Sequence, residues 1–197
     1  MPDSEPDIID TLVGIAPDSA LDAVRARRPQ ARTHAQVSYR ALFAPDSPGG
    51  VTSGERFALA SFVAGLHAQP ETVQFYATKL TQADAALHTA VLAEVARGSG
   101  AGPYGSYPDG PLAAENTPGP EYRVAETSLA TLGRLAVALE HAHMLVFHPR
   151  DSSAERLQLL LDAGWTTDDI VTISQLVAFL SFQIRVIAGL RTLAATA

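Results

Sequence analysis

Ser152-Ser153-Ala154-Glu155, then Ala163-Gly164-Trp165, then Thr166-Thr167-Asp168-Asp169-Ile170 all fall between positions 152 and 170. Ser152 and Glu155 have the spacing of a capping box, which opens a short helix running to about Asp162. Ala163-Gly164 closes that helix, with glycine in the left-handed position that side chains disfavour. Thr166 to Asp169 then caps a final helix. It puts two acids in the first turn, where the backbone dipole is positive, and Arg191 in the last. A helix stop followed at once by a helix start leaves no room for a strand.

Outward from this junction the same grammar repeats. Val124 to Phe147 reads as one long helix, stopped by Pro149 after His148. Glu71 to about Arg97 reads as another, begun by Pro70 and ended by Gly98-Ser99-Gly100. Thr52 or Ser53 caps a helix from Gly54 to about His67. Asp18 or Ser19 caps one ending near Arg28, and a further helix covers Ala31 to Phe43. Ala44-Pro45-Asp46-Ser47-Pro48-Gly49-Gly50 is a breaker. Residues 98–123, rich in Gly and Pro, form a long irregular loop, either a flap over a pocket or subunit or a decorative insertion. No segment alternates with period two. The expectation is an all-α single domain over 1–197, built from seven or eight helices.

Composition narrows the function. The 197 residues are 47% hydrophobic and 18% charged, and 21 acids against 14 bases leave a net charge of −7. Nucleic acid is excluded as a partner, because a polyanion must be met by clustered cations. The acidic, proline-spaced opening Met1-Pro2-Asp3-Ser4-Glu5-Pro6-Asp7 is the reverse of a signal peptide. Ile170 to Ala194 is apolar enough to suggest a membrane span, but Arg185 and Arg191 interrupt it, and an arginine near the bilayer centre costs about 2.5–3.5 kcal/mol. A central bundle helix or a subunit interface is the expectation, and the location cytoplasmic, with no membrane partner. There is no cysteine. Disulfides, thiolate zinc sites, iron–sulfur clusters and thiol nucleophiles are therefore excluded, and no cofactor is expected.

Two stretches carry a resemblance. One is Leu157, Leu160-Leu161, Ala163-Gly164-Trp165-Thr166, Asp168-Asp169-Ile170, Leu176-Val177-Ala178-Phe179, Phe182, Arg185 and Gly189-Leu190. The other is Val51-Thr52, Glu55-Arg56, Leu59-Ala60 and Val63-Ala64. Together they resemble the peroxidase-related branch of the carboxymuconolactone decarboxylase and alkylhydroperoxidase D-like superfamily, over roughly residues 20–97 and 124–193. The resemblance implies an AhpD-like helical bundle that assembles as a homodimer or higher homo-oligomer. It also implies chemistry by a Cys-x-x-Cys-x-x-x-His run following a Glu. Aligned on Glu55-Arg56, the two cysteine positions become Gln69 and Thr72, the histidine position becomes Tyr76 and the acid position becomes Phe57. The thiolate that would attack a peroxide oxygen is missing in any register.

The remaining candidates are Glu140-His141-Ala142-His143 and His148. On one helix His141 and His148 share a face but stand about 10.5 Å apart along the axis. His141 and His143 point nearly opposite ways. Without an i, i+4 pair of histidines no metal site is expected. Two readings stay open for the cluster: histidines bonding the free carbonyls of a helix C-terminus or buried in an interface, and a His/Glu acid–base site. Arg185, in the most apolar helix, calls for an acid from another element or subunit, with anion binding as the alternative. His67 reads as a helix C-terminal cap, and Trp165 as a hydrophobic anchor. The leading expectation is a non-peroxidase homologue binding a small apolar ligand or a partner near Gln69, Thr72, Tyr76 and Arg185. The first alternative is a decarboxylase-like enzyme using Glu140, His141, His143 or His148. The second is an alkylhydroperoxidase-related antioxidant role by chemistry without thiols.

Overall fold

Side-chain caps mark where the helices begin. In a computed structural model, which describes residues 6–196, the Asp7 carboxylate accepts from the amides of Ile9 and Asp10 and opens α1 (Ile8–Val13). The acidic opening Met1 to Glu5 lies outside the described residues. Ser19 caps α2 (Ala20–Ala26), and α3 (Pro29–Phe43) begins on a proline whose missing N–H costs nothing there. Thr52 and Glu55 form a reciprocal capping box on α4 (Ser53–Leu66). Pro70 opens α5 (Pro70–Ala83), and Asp84 caps α6 (Ala85–Gly98). α7 (Glu126–Leu132) and α8 (Leu135–Phe147) follow, then α9 (Ala154–Asp162) and α10 (Thr167–Thr196). Among the described residues there are ten α-helices, two short 3₁₀ turns and no strand.

The all-α class is as expected, but the helices number ten rather than seven or eight, and three differences account for this. α1, tied down by Arg25 to Asp7 and Asp10 at 3.1 Å each, lies just after the acidic opening, where no helix was expected. The helix expected over 71–97 is two: Asp84 is extended, at φ −159°, and its side chain accepts from Ala86 and Leu87 N–H, so it restarts the chain. The helix expected over 124–147 is also two, because Gly133 takes φ 52°, ψ −131°. The box expected from Ser152 to Glu155 does not form: the cap is Ser153, which accepts from the Arg156 amide at 3.4 Å, and Arg156 has no acceptor to complete a box. Arg191 lies a turn short of the α10 terminus. It pairs with Glu71 and donates to the Leu12 carbonyl, so it ties α10 to α5 and α1 rather than complementing a dipole.

α4 is the hub, with every residue from Ala58 to Leu66 buried. It packs against α5, α6, α8 and α10. The Glu55-Arg56 pair at its start is structural. Glu55 completes the cap and takes Arg134 at 2.8 Å, while enclosed Arg56 donates to the carbonyls of Val51, Leu42 and Pro48. Arg134 also lies 3.8 Å over the Trp165 ring, whose Nε1 donates to the Arg134 carbonyl at 3.1 Å. Trp165 is thus the anchor the sequence suggested. α10 is long and apolar enough, by length and composition alone, to cross a membrane, and half of its most apolar stretch is inside the fold.

The α4–α6 contact is tight at Gly65, where an added Cβ would stand 2.5 and 2.6 Å from the methyls of Val95. Alanine in a helix gains about 1 kcal/mol over glycine, but overpacking costs about 1–3 kcal/mol, and β-branched Val95 has few rotamers to retreat into. Gly65→Ala is therefore expected to lower stability, by about 1 kcal/mol, in urea unfolding. A more stable variant would show that the helices can part at no cost.

Candidate functional site

α8 delivers the histidine cluster, but its members face different neighbours. His141 is buried toward α10, its Nε2 3.0 Å from Ser174 Oγ and its Nδ1 without a partner. Burial pushes its pKa down to about 4, so the ring is neutral at pH 7. His143 faces the other way. Its Nε2 lies 3.0 Å from the Gly98 carbonyl, and its ring stacks on Tyr122 with centroids 4.6 Å apart. Burial lowers it to about 4 as well, against a smaller opposing pull from the Gly98 carbonyl. Because a carbonyl only accepts, Nε2 carries the proton and Nδ1 the lone pair. His148 places Nδ1 3.1 Å from Asp151 and Nε2 3.0 Å from the Pro120 carbonyl.

Glu140 is occupied. One of its oxygens accepts from the Val124 amide at 3.0 Å and the other from Arg123 at 2.8 Å. With the Tyr104 amide donating to the Phe147 carbonyl at 2.6 Å and the Ser106 amide to Asp151 at 3.1 Å, these bonds strap the 98–123 segment over the end of α8. Beneath the strap is a cavity of about 270 Å³, lined among others by Tyr122, Glu140, His143, His148 and Arg156. Glu140, His143 and His148 thus share one cavity, and His141 lies outside its walls. Among the described residues no three His, Asp or Glu are grouped to hold a metal ion.

The positions aligned with the family's motif lie elsewhere. Gln69 precedes α5 without making a side-chain cap. Thr72 is enclosed, its Oγ1 unpartnered. Tyr76 is fully buried and donates to Gln183 Oε1 of α10 at 2.5 Å. Burial, the leading cause, raises its phenol well above the usual range, so it is a permanent donor. Arg185 differs from the expected buried ion pair: it is exposed and meets no acid among the described residues. An exposed guanidinium keeps its hydration, so no counter-charge is required.

Arg185 belongs instead to an open groove of about 1100 Å³ between the end of α4, residues 100–103, the end of α8 and α10. Leu66, Leu145, Val146, Phe147, Val177 and Phe182 provide its apolar walls. His67 is the C-cap residue of α4, as expected, and its ring also lies in the wall, with Nε2 3.2 Å from Ser181 Oγ on α10. Burial, with Arg185 adding to it, holds His67 below the ordinary imidazole range. Sequence reasoning missed the roles of Ser181 and Phe182 here. The spacing 174, 177, 178, 181, 182, 185, 186 is one face of α10, but a helix apolar nearly all round does not reveal which face stays open. Compared with known protein families, curated proteins and solved structures, the chain matches none.

Proposed function

We propose that this protein is a cysteine-less relative of the carboxymuconolactone decarboxylase and alkylhydroperoxidase D-like superfamily that binds a small apolar molecule in the groove between α4, α8 and α10. The kinship rests on the residue pattern around Glu55-Arg56 and from Leu157 to Leu190. The binding role rests on one observation, the apolar groove of about 1100 Å³, which is the size and character of a small-molecule site once its open mouth is discounted. Thiol peroxidase chemistry has no sulfur nucleophile to start from. The acid–base alternative has less behind it, since both Glu140 oxygens are engaged and His141 and His143 face different helices.

An uncharged solvatochromic dye such as Nile red tests the reading. The wild type is expected to bind it with a blue-shifted emission. Ala101→Trp, adding a ring at the exposed loop wall of the groove, weakens binding by about tenfold, on the order of 1.4 kcal/mol. Leu112→Trp, exposed in the same segment outside the groove, leaves binding unchanged. Failure of the wild type to bind, or equal losses in the two variants, would remove the groove from the function.

A further inference from the structure

We infer that the ligand of this groove is an amphiphilic anion, a single extended alkyl chain ending in a carboxylate, with Arg185 as the anchor for its head. The inference rests on the groove being a binding site and adds the class of molecule.

Charge is the first argument. The chain has 21 acids and 14 bases, yet the walls of the groove contain no Asp or Glu and one cation, Arg185. Arg25, Arg32, Arg97, Arg123, Arg134, Arg156 and Arg191 each meet a carboxylate and Arg56 and Arg150 meet carbonyls, whereas Arg185, like the exposed Arg27 and Arg28, meets neither. His67 is held neutral and already has Ser181, so the charge at that end is the guanidinium's alone. A guanidinium fork matches a carboxylate in plane and spacing, and takes two parallel hydrogen bonds from it.

Shape is the second. The α10 residues of the wall run from Ser174 to Val186, twelve positions along one helix face, or about 18 Å at about 1.5 Å per residue. With C–C bonds of about 1.5 Å zigzagging to advance about 1.25 Å each, that is the reach of an extended chain of about fourteen carbons, long enough to take a twelve-carbon probe whole. On α10 the polar wall residues Ser181, which holds His67, and Arg185 lie one turn apart, and Val177 and Ala178 lie a turn before them. Ser174, at the far end, already has its bond to His141.

A second copy of the chain fits less well. A two-fold contact through this face would set each apolar wall against its equivalent and bury both Arg185 side chains with no acid on either side. Desolvating two cations without counter-charges opposes such a dimer.

The test compares two probes with the same tail, dodecanoate and dodecyltrimethylammonium, by calorimetric titration below their micelle concentrations. Dodecanoate is expected to bind at least about tenfold more tightly, the scale of one charge-assisted hydrogen bond. Arg185→Gln, at an exposed position where folding is not at risk, should abolish that preference, and Arg185→Lys should keep most of it. Equal binding of the two probes, unchanged in Arg185→Gln, overturns the anion but leaves the groove as an apolar site. Loss of the probes and of Nile red together overturns both readings. Absence of dodecanoate binding in a protein that Phe182→Asp converts from dimer to monomer, by sedimentation, assigns the groove to self-association and overturns the inference.

Discussion

Replacing Glu94 by alanine is expected to lower the unfolding free energy by about 3–5 kcal/mol, a large part of a typical total of about 5–15 kcal/mol. Glu94 has no solvent exposure. Its carboxylate accepts from the Tyr122 hydroxyl at 2.7 Å, the Ser128 hydroxyl at 2.6 Å and the Ala125 amide at 3.2 Å, with Arg97 Nε at 3.5 Å. One side chain on α6 thus satisfies three donors at the entrance to α7. Alanine would strand the buried hydroxyls of Tyr122 and Ser128 and free the half-buried Ala125 amide, and each orphaned buried donor carries a desolvation penalty of about 1–3 kcal/mol. Tyr122 has no other form in which to adapt, since burial and then the bond to Glu94 push its phenol far above the ordinary tyrosine range. Glu94→Gln, which keeps an acceptor oxygen, should lose less. Urea unfolding at pH 7 measures the effect, and a loss under about 1 kcal/mol for the alanine variant would mean that water replaces the carboxylate freely.

The second large effect is acid sensitivity. His141 and His143 are held down to about 4 in the folded chain, from an ordinary value of 6.5. Between those values the unfolded chain takes up protons that the folded chain refuses, so stability rises with pH across this window. It is at its full value above about pH 6.5, falls as the pH drops from there, and levels off for these groups below about 4. For His141 the shift corresponds to about 3 kcal/mol. His143 borders the cavity beneath the strap, where solvent screening cuts its share to about half that. His67 acts in the same direction. Thermal midpoints measured from pH 7.5 to 4.5 are expected to decline steadily below pH 6.5, and the slope to flatten in His141→Gln. A level profile over that range would show that the two rings accept protons in the folded state without cost.

The helix starts were legible because a cap is a local device. Ser19, Thr52 and Thr166 act on amides three residues away, so their reading needs nothing from the rest of the chain, and the box read from Ser152 misses the true cap, Ser153, by one residue. Asp84 carried the same signal inside a run of alanines, and strong helix-forming neighbours concealed it. Gly133 sits inside the apolar periodicity of Val124 to Phe147, whereas its positive φ turns the chain between α7 and α8. For the candidate site, spacing correctly separated His141 from His143. It could not show that Glu140 is occupied by Val124 and Arg123, sixteen and seventeen positions away.

By itself the sequence determined the all-helical class, most of the helix boundaries, and the absence of any thiol on which peroxide chemistry could run. These properties are local or compositional. Tertiary structure alone decided which faces of α10 stay open, that Arg185 reaches solvent, and that Tyr76 meets Gln183 across 107 positions. Burial and pairing depend on what the rest of the chain brings alongside, and an apolar helix presents candidate surfaces all round until its neighbours cover some of them.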